Sequence, residues 1–348
     1  MTYGTATLNA RRVYFLGVNT GFVSDGEPDN RYVEFYRSRS SDALYCAIVG
    51  NVVVPGGHGS NPLTPALSVA SVWKDVASAI TSKGSLPGIQ LATAWEGYTG
   101  IRRFVGGSPE RVILEARTLV EGLGHTRISK LLDAFDAAAE MALGHGFKHV
   151  QIHAAHGYLP SLLIDERINP SAGNVLSRLS DLALRLRGAN IETSIRVSLK
   201  TGASNFDSQG RDAFHQRIAN LPFDVVDLSS GFYNIDKRLI YPARPEIVKS
   251  RHDESLALAA LNPHRDFILS GRAMSCAPSR LLPNMHLGIC RDLIANSDFL
   301  RKQEDGCKNH SKCHYFSRGE EHLTCAQWDS PPAFLRPGSI SSTDRGFG

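Results

Sequence analysis

Eight short apolar, β-rich runs punctuate this chain, and most of them are followed by a segment of helical periodicity. The runs are Val13–Val18, Leu44–Val54, Ile89–Ala92, His149–His153, Glu192–Leu199, Asp224–Leu228, Phe267–Leu269 and His286–Cys290. Between and after them, Ser68–Ile80, Ile128–Leu143, Leu176–Arg187, Arg211–Asn220, Glu254–Leu261 and Leu293–Gln303 carry apolar residues at i, i+3 and i+4. Continuous apolar strands joined through helices mean a parallel sheet covered by helices. Eight such units predict an α/β fold, a (β/α)₈ TIM barrel. A doubly wound open sheet is the alternative, but no Gly-x-Gly-x-x-Gly opens a helix after any strand. The Gly-rich stretch 54–59 reads as a loop leading to Asn61-Pro62.

Two stretches stand outside the repeat. Ala94–Glu121 is too long for a plain connection after strand three, so it is predicted to cover one end of the barrel. Residues 306–348 hold Cys307, Cys313, Cys325, His310, His314 and His322 and end in a Ser/Pro/Gly-rich tail predicted to be mobile. The division predicted is therefore a barrel over 1–305 and a C-terminal segment over 306–348.

Composition narrows the function classes. The net charge is +4, but the basic residues are scattered singly, which argues against a nucleic-acid partner. No apolar run approaches the ~18 residues of a membrane helix, and the polar stretch 1–12 lacks an apolar signal region. A soluble, cytoplasmic protein is expected, acting on a small molecule, with a homodimer left open. The six cysteines suit reduced thiols in an intracellular enzyme. Three of them with neighbouring His could bind Zn²⁺, but the spacing is irregular and no metal site is assigned.

In a barrel, polar residues at strand C-termini form the site. The rule collects Asn19, Thr20, Gly50, Asn51, Gln90, His153, His156, Tyr158, Arg196, Lys200, Ser229, Ser230, Gly231, Ser270, Gly271, Arg272 and Arg291. Two imidazoles and a phenol fall within six residues of one strand end, in His153-Ala154-Ala155-His156-Gly157-Tyr158. All three side chains can donate a hydrogen bond to an oxygen, and a phenol can deliver a proton.

These residues resemble the old yellow enzyme family of FMN-dependent NAD(P)H:flavin oxidoreductases, the ene-reductases. The resemblance runs from about Val13 to Phe299. Its strongest element is Gln151-Ile152-His153-Ala154-Ala155-His156-Gly157-Tyr158-Leu159, which is similar to the bacterial branch with two His in this motif. Gly88-Ile89-Gln90-Leu91-Ala92, Ile195-Arg196-Val197-Ser198, Val226-Asp227-Leu228-Ser229-Ser230-Gly231 and Ile289-Cys290-Arg291-Asp292-Leu293 follow in the family's order. The resemblance implies FMN as cofactor and NAD(P)H as reductant. It implies that His153 and His156 hold the carbonyl oxygen of an activated alkene, that FMN N5 gives hydride to the β-carbon, and that Tyr158 protonates the α-carbon. Val18, Asn19, Thr20, Gly50, Gln90, His153, Arg196, Ser230, Gly271, Cys290 and Arg291 would be the flavin contacts, with Thr20 tuning the ring through O4.

The side-chain chemistry agrees with a flavin. Arg196 can set a fixed cation beside N1/O2, Gln90 can bond the pyrimidine ring, and Gly271 with Arg291 fits the phosphate position that barrels build after their last strands. The chain departs from the family at Asn169-Pro170-Ser171-Ala172-Gly173-Asn174, Gly50-Asn51, Thr93-Ala94-Trp95 and Cys290. Such drift suits a specialised biosynthetic pathway, with desaturation or isomerisation as alternatives. Two other classes compete: a non-flavin aldolase with Lys200 as Schiff-base lysine, and a barrel that binds a partner without chemistry.

Overall fold

A computed structural model describes residues 11–328, 330 and 332–336. The tail 337–348 that was expected to be mobile lies outside the described residues. Eight parallel strands close into a barrel in which every strand pairs with its sequence neighbours and the first pairs with the last. They are β1 (Val13–Phe15), β2 (Cys46–Val53), β3 (Leu86–Ala92), β4 (His149–Ala154), β5 (Glu192–Ser198), β6 (Val225–Ser229), β7 (Asp266–Leu269) and β8 (Met285–Ile289). The fold expectation holds, with strand ends displaced by a few residues.

Besides several helices of four or five residues, the helices are α1 (Asn30–Arg39), α2 (Val72–Thr81), α3 (Pro109–Gly144), α4 (Ala172–Gly188), α5 (Arg211–Ala219) and α6 (Pro245–Leu261), and the short α7 (Arg291–Ala295) follows β8. Helix α1 carries no expectation from periodicity. Its start is set by Asp29, whose carboxylate accepts from the Arg31 N–H at 2.8 Å, an N-cap. The segment after β3 is half helix: α3 begins at Pro109, behind the Ser108 cap. Only 93–108 is connection. It crosses the C-terminal mouth of the barrel, where the Gly106 N–H donates to Ile235 O at 2.8 Å. Helix α3 breaks at Gly124, with φ 64 and ψ 170. That conformation is open to glycine and costly for other residues. The predicted helix Leu293–Gln303 is split by Asn296-Ser297-Asp298, leaving α7 and the turn Phe299–Lys302.

Strand alternation sorts the side chains. Val150, Ile152, Ile195, Val197, Val226 and Leu228 point outward into the large core shared with the helices. Their alternates point inward, and several are polar: His149, Gln151 and His153 on β4, Glu192, Ser194 and Arg196 on β5, Asp227 and Ser229 on β6. The register pairs His149 with Glu192, Gln151 with Ser194, His153 with Arg196 and Arg196 with Asp227. A barrel interior is usually filled by branched aliphatic residues. Here a small apolar cluster of Tyr14, Leu16, Cys46, Ile48, Val225 and Ile268 shares it with those polar side chains.

The C-terminal segment lies against the barrel mouth. The Leu323 N–H donates to Thr20 O at 2.8 Å. Gly21 lets the strap approach this closely: a Cβ there would lie 2.5 Å from Glu321 O, and its φ is +69. Phe334 packs edge-on against Phe22 and Phe35 with centroids 5.7 and 6.1 Å apart. The Trp328 indole N–H donates to Ile294 O at 2.9 Å. All six cysteines are free thiols, and no group of three His, Cys, Asp or Glu among the described residues is arranged to hold a metal ion. No helix among the described residues is long and apolar enough to cross a membrane.

Candidate active site

A cavity enclosing about 1240 Å³, mouth included, opens at the C-terminal ends of the strands. Of the sequence-predicted residues, Val18, Asn19, Gln90, His153, His156, Tyr158, Arg196, Gly271, Cys290 and Arg291 line it. Thr20, Gly50 and Ser230 do not. Thr20 is fully buried and its hydroxyl accepts from the Phe22 N–H at 3.2 Å, closing a local turn. The Gly50 N–H donates to the Tyr36 hydroxyl at 3.3 Å, behind β2. The Ser230 hydroxyl donates to Ser229 O at 2.7 Å. Lys200 is also elsewhere: its ammonium pairs with Glu254 on α6 at 2.7 Å. A Schiff-base lysine must face the cavity free of such a carboxylate, so the aldolase reading loses its nucleophile.

His153 and His156 form the centre. Their rings are 5.0 Å apart, centroid to centroid, and Tyr158 lies 5.1 Å from His153. His156 takes φ +64 at the turn out of β4, held by the Ser198 hydroxyl, which accepts from its N–H at 3.0 Å. Burial pushes both imidazoles well below the ordinary histidine value, and the Arg196 charge adds to it in each. Both rings are therefore neutral near pH 7, each with one N–H donor and one acceptor. Ser229 Oγ accepts from Arg196 Nη2 at 3.4 Å and lies 2.6 Å from His156 Nε2. His153 Nδ1 is buried with no partner among the described residues, which marks a polar atom prepared for a ligand.

Beneath them runs a polar ladder. Gln90 Nε2 donates to Gln151 Oε1 at 2.5 Å, and Gln151 Nε2 donates to Ser194 Oγ at 2.9 Å. Ser194 meets His149 Nε2 at 2.8 Å, and His149 Nδ1 meets Glu192 at 3.1 Å. Arg196 is ion-paired with Asp227, whose side chain is 0% exposed. Gln151, Ser194, His149 and Asp227 are not among the sequence-predicted site residues. Polar residues at every second position of two adjacent strands were the signal that could have found them.

The far end of the cavity is cationic. Arg291 donates to Asn309 Oδ1 at 3.2 Å and to Pro242 O at 2.6 Å. No carboxylate pairs with it among the described residues. Arg272 also lines it, ion-paired with the lining carboxylate Asp292 at 3.4 Å and donating to Cys307 O at 2.9 Å. Tyr233 and Tyr241 after β6, and Cys313–Ser317 of the strap, complete the lining. Sequence reasoning missed these, because nothing in a Cys/His-containing tail says which surface it will cover.

The donor set fits a flavin mononucleotide: a guanidinium and an amide on one side, an orphaned imidazole nitrogen above, and an uncompensated arginine where a phosphate would sit. The model of the NADH:flavin oxidoreductase / NADH oxidase family matches residues 1–173 of this chain. Among its relatives, an NADH-dependent flavin oxidoreductase from Aspergillus parasiticus is 25% identical over 238 residues, covering 60% of this chain and 52% of that protein. An NADPH dehydrogenase from Bacillus licheniformis is 26% identical over 225 residues, covering 60% and 64%. The chain thus spans about half to two thirds of the length of these relatives. An old yellow enzyme homologue from Zymomonas mobilis shares the fold with a TM-score of 0.58 at 19% identity, over 86% of this chain and 90% of that one.

The strap adds a pH response. Burial, with the Arg291 and Lys237 charges, pushes the His314 imidazole down to about 4. In the unfolded chain it returns to about 6.5. Between those values only the unfolded state binds the proton, so folding stability is full above about pH 6.5 and falls as pH drops toward 4. Urea unfolding at pH 7 and pH 5 should show the loss, and His314→Gln should make the dependence shallower. An unchanged slope would remove His314 from the balance.

Proposed function

We propose that this protein is an FMN-dependent oxidoreductase that takes reducing equivalents from NAD(P)H and reduces a carbonyl-conjugated C=C bond. The observation that carries the reading is the pair of buried, neutral imidazoles at the end of β4, beside a buried phenol and on the same cavity as Arg196 and Gln90. Bound FMN would supply the hydride. Arg196 and Gln90 would hold its ring, and Arg291 with Arg272 its phosphate.

His153 and His156 receive the substrate oxygen. Two N–H donors aimed at that atom favour the negative charge that develops there as the β-carbon accepts hydride. Burial raises the Tyr158 phenol above its ordinary value, so it keeps its proton until a carbanion-like carbon demands it. The Tyr158 ring is held by Tyr233, stacked at 6.3 Å and 23°, and by Tyr98 edge-on at 5.8 Å. The departures at 169–174, at Thr93-Ala94-Trp95 and at Cys290 support a role in a specialised biosynthetic pathway within the same proposal.

The decisive measurement is the identity of what the purified protein releases on denaturation. FMN, resolved by chromatography, is the expected result; FAD or no flavin would overturn the reading. Arg291→Ala removes a charge-assisted phosphate contact and should weaken FMN binding by about 10- to 100-fold, read by flavin fluorescence on titration.

A further inference from the structure

His156 lines two spaces. One is the cavity described above. The other is a chamber on the side of α3, walled by Trp95, Tyr98, Val112, Leu119, Leu162 and Phe232. Tyr98 stands at the boundary: it meets Tyr158 of the main cavity edge-on at 5.8 Å, and Trp95 at 4.7 Å. The Tyr98 hydroxyl oxygen is buried and has no hydrogen-bond partner among the described residues. Such an atom normally costs stability unless something supplies the missing bond. Burial, reinforced by Tyr158 and Tyr233, raises the Tyr98 phenol well above its ordinary value, so it remains a donor. The chamber lining contains no Lys or Arg, and its one carboxylate, Glu115, is 59% exposed and paired with Arg111 at 2.7 Å. An anionic group finds no cation there.

We propose that this chamber is a specificity subsite that receives the distal part of the substrate: an uncharged apolar ring or chain carrying one acceptor oxygen for the Tyr98 hydroxyl. The inference rests on the functional reading above, in which the substrate oxygen is held at His153 and His156. A substrate anchored at that pair can extend past His156 into the chamber. Its apolar part gains by leaving water, and its oxygen satisfies the orphaned phenol.

The test uses the holoenzyme with 2-cyclohexenone and a series of its alkyl and matched alkoxy derivatives of growing length. Binding is read by Trp95 fluorescence, with Trp95→Phe identifying the signal, and turnover is followed separately. Affinity should rise by about fourfold per methylene until the chamber fills. Tyr98→Phe should remove only the advantage of the ether oxygen, about tenfold. Ala116→Leu, projecting from α3 into the chamber, should flatten the series, while Leu119→Ala should move its optimum to longer chains. A flat series in the unaltered protein, or a series indifferent to both α3 substitutions, would overturn the subsite. Long derivatives that alter Trp95 fluorescence without any turnover, alongside an inert 2-cyclohexenone, would sink the oxidoreductase reading and leave the subsite standing. Turnover of 2-cyclohexenone with Trp95 silent to every derivative would do the reverse.

Discussion

Tyr158→Phe should slow the half-reaction with an enone by about 10²–10⁴-fold, the usual worth of a positioned general acid. The half-reaction with NAD(P)H should keep its rate. The substitution removes one oxygen and its transferable proton but preserves the ring, which is 6% exposed and packed between Tyr233, Tyr98 and His153. Stopped-flow measurement separates the two halves. Equal rates in both would make Tyr158 a packing residue, with the proton coming from elsewhere. The pH profile is a second check. The folded-state value of this phenol lies above the ordinary one near 10, so the enone rate should not fall as pH rises through the usual phenol range.

Asp227→Ala should destabilise the protein by about 3–5 kcal/mol, because it leaves the Arg196 guanidinium buried without its counter-charge. Side-chain exposures of 11% for Arg196 and 0% for Asp227 make screening by water a minor factor. After the change, Arg196 keeps only the 3.4 Å contact with Ser229 among its side-chain partners. Asp227→Asn retains a hydrogen-bond acceptor and should cost less. Denaturant unfolding of the two variants decides it: a wild-type midpoint for Asp227→Ala would mean that Arg196 relaxes toward the cavity. In that case the cation beside the proposed flavin ring is not fixed by Asp227.

Much of the architecture was legible in advance, for a local reason. Each strand is a short run whose outward face is apolar because it meets helices, so Val150-Gln151-Ile152 and Val225–Leu228 announce themselves without reference to the rest of the chain, although Gln151 and Asp227 face inward. Helix limits were less legible. Pro109–Glu121 read as connection because its turns carry charged residues on an exposed face, and Leu293–Gln303 read as one helix although Asn296 ends it by taking an extended backbone. Thr20 was misplaced for a related reason: a hydroxyl at a strand end can close its own turn as well as face a ligand, and sequence does not say which.

The sequence by itself determined the eightfold strand–helix alternation, the placing of polar residues at strand C-termini, and the His153–His156–Tyr158 group. All of these are set by neighbours within a few residues. Only the tertiary structure decided which inward residues join. Barrel closure brings Gln90, Gln151, Ser194 and Asp227 into one ladder although the chain separates them by up to 137 positions. It also decided that Cys313–Ser317 would roof the cavity and that Arg291 would meet no carboxylate among the described residues. Side chains that meet across a closed barrel carry no shared local pattern, so their contacts follow from the register and closure of the sheet and not from periodicity along the chain.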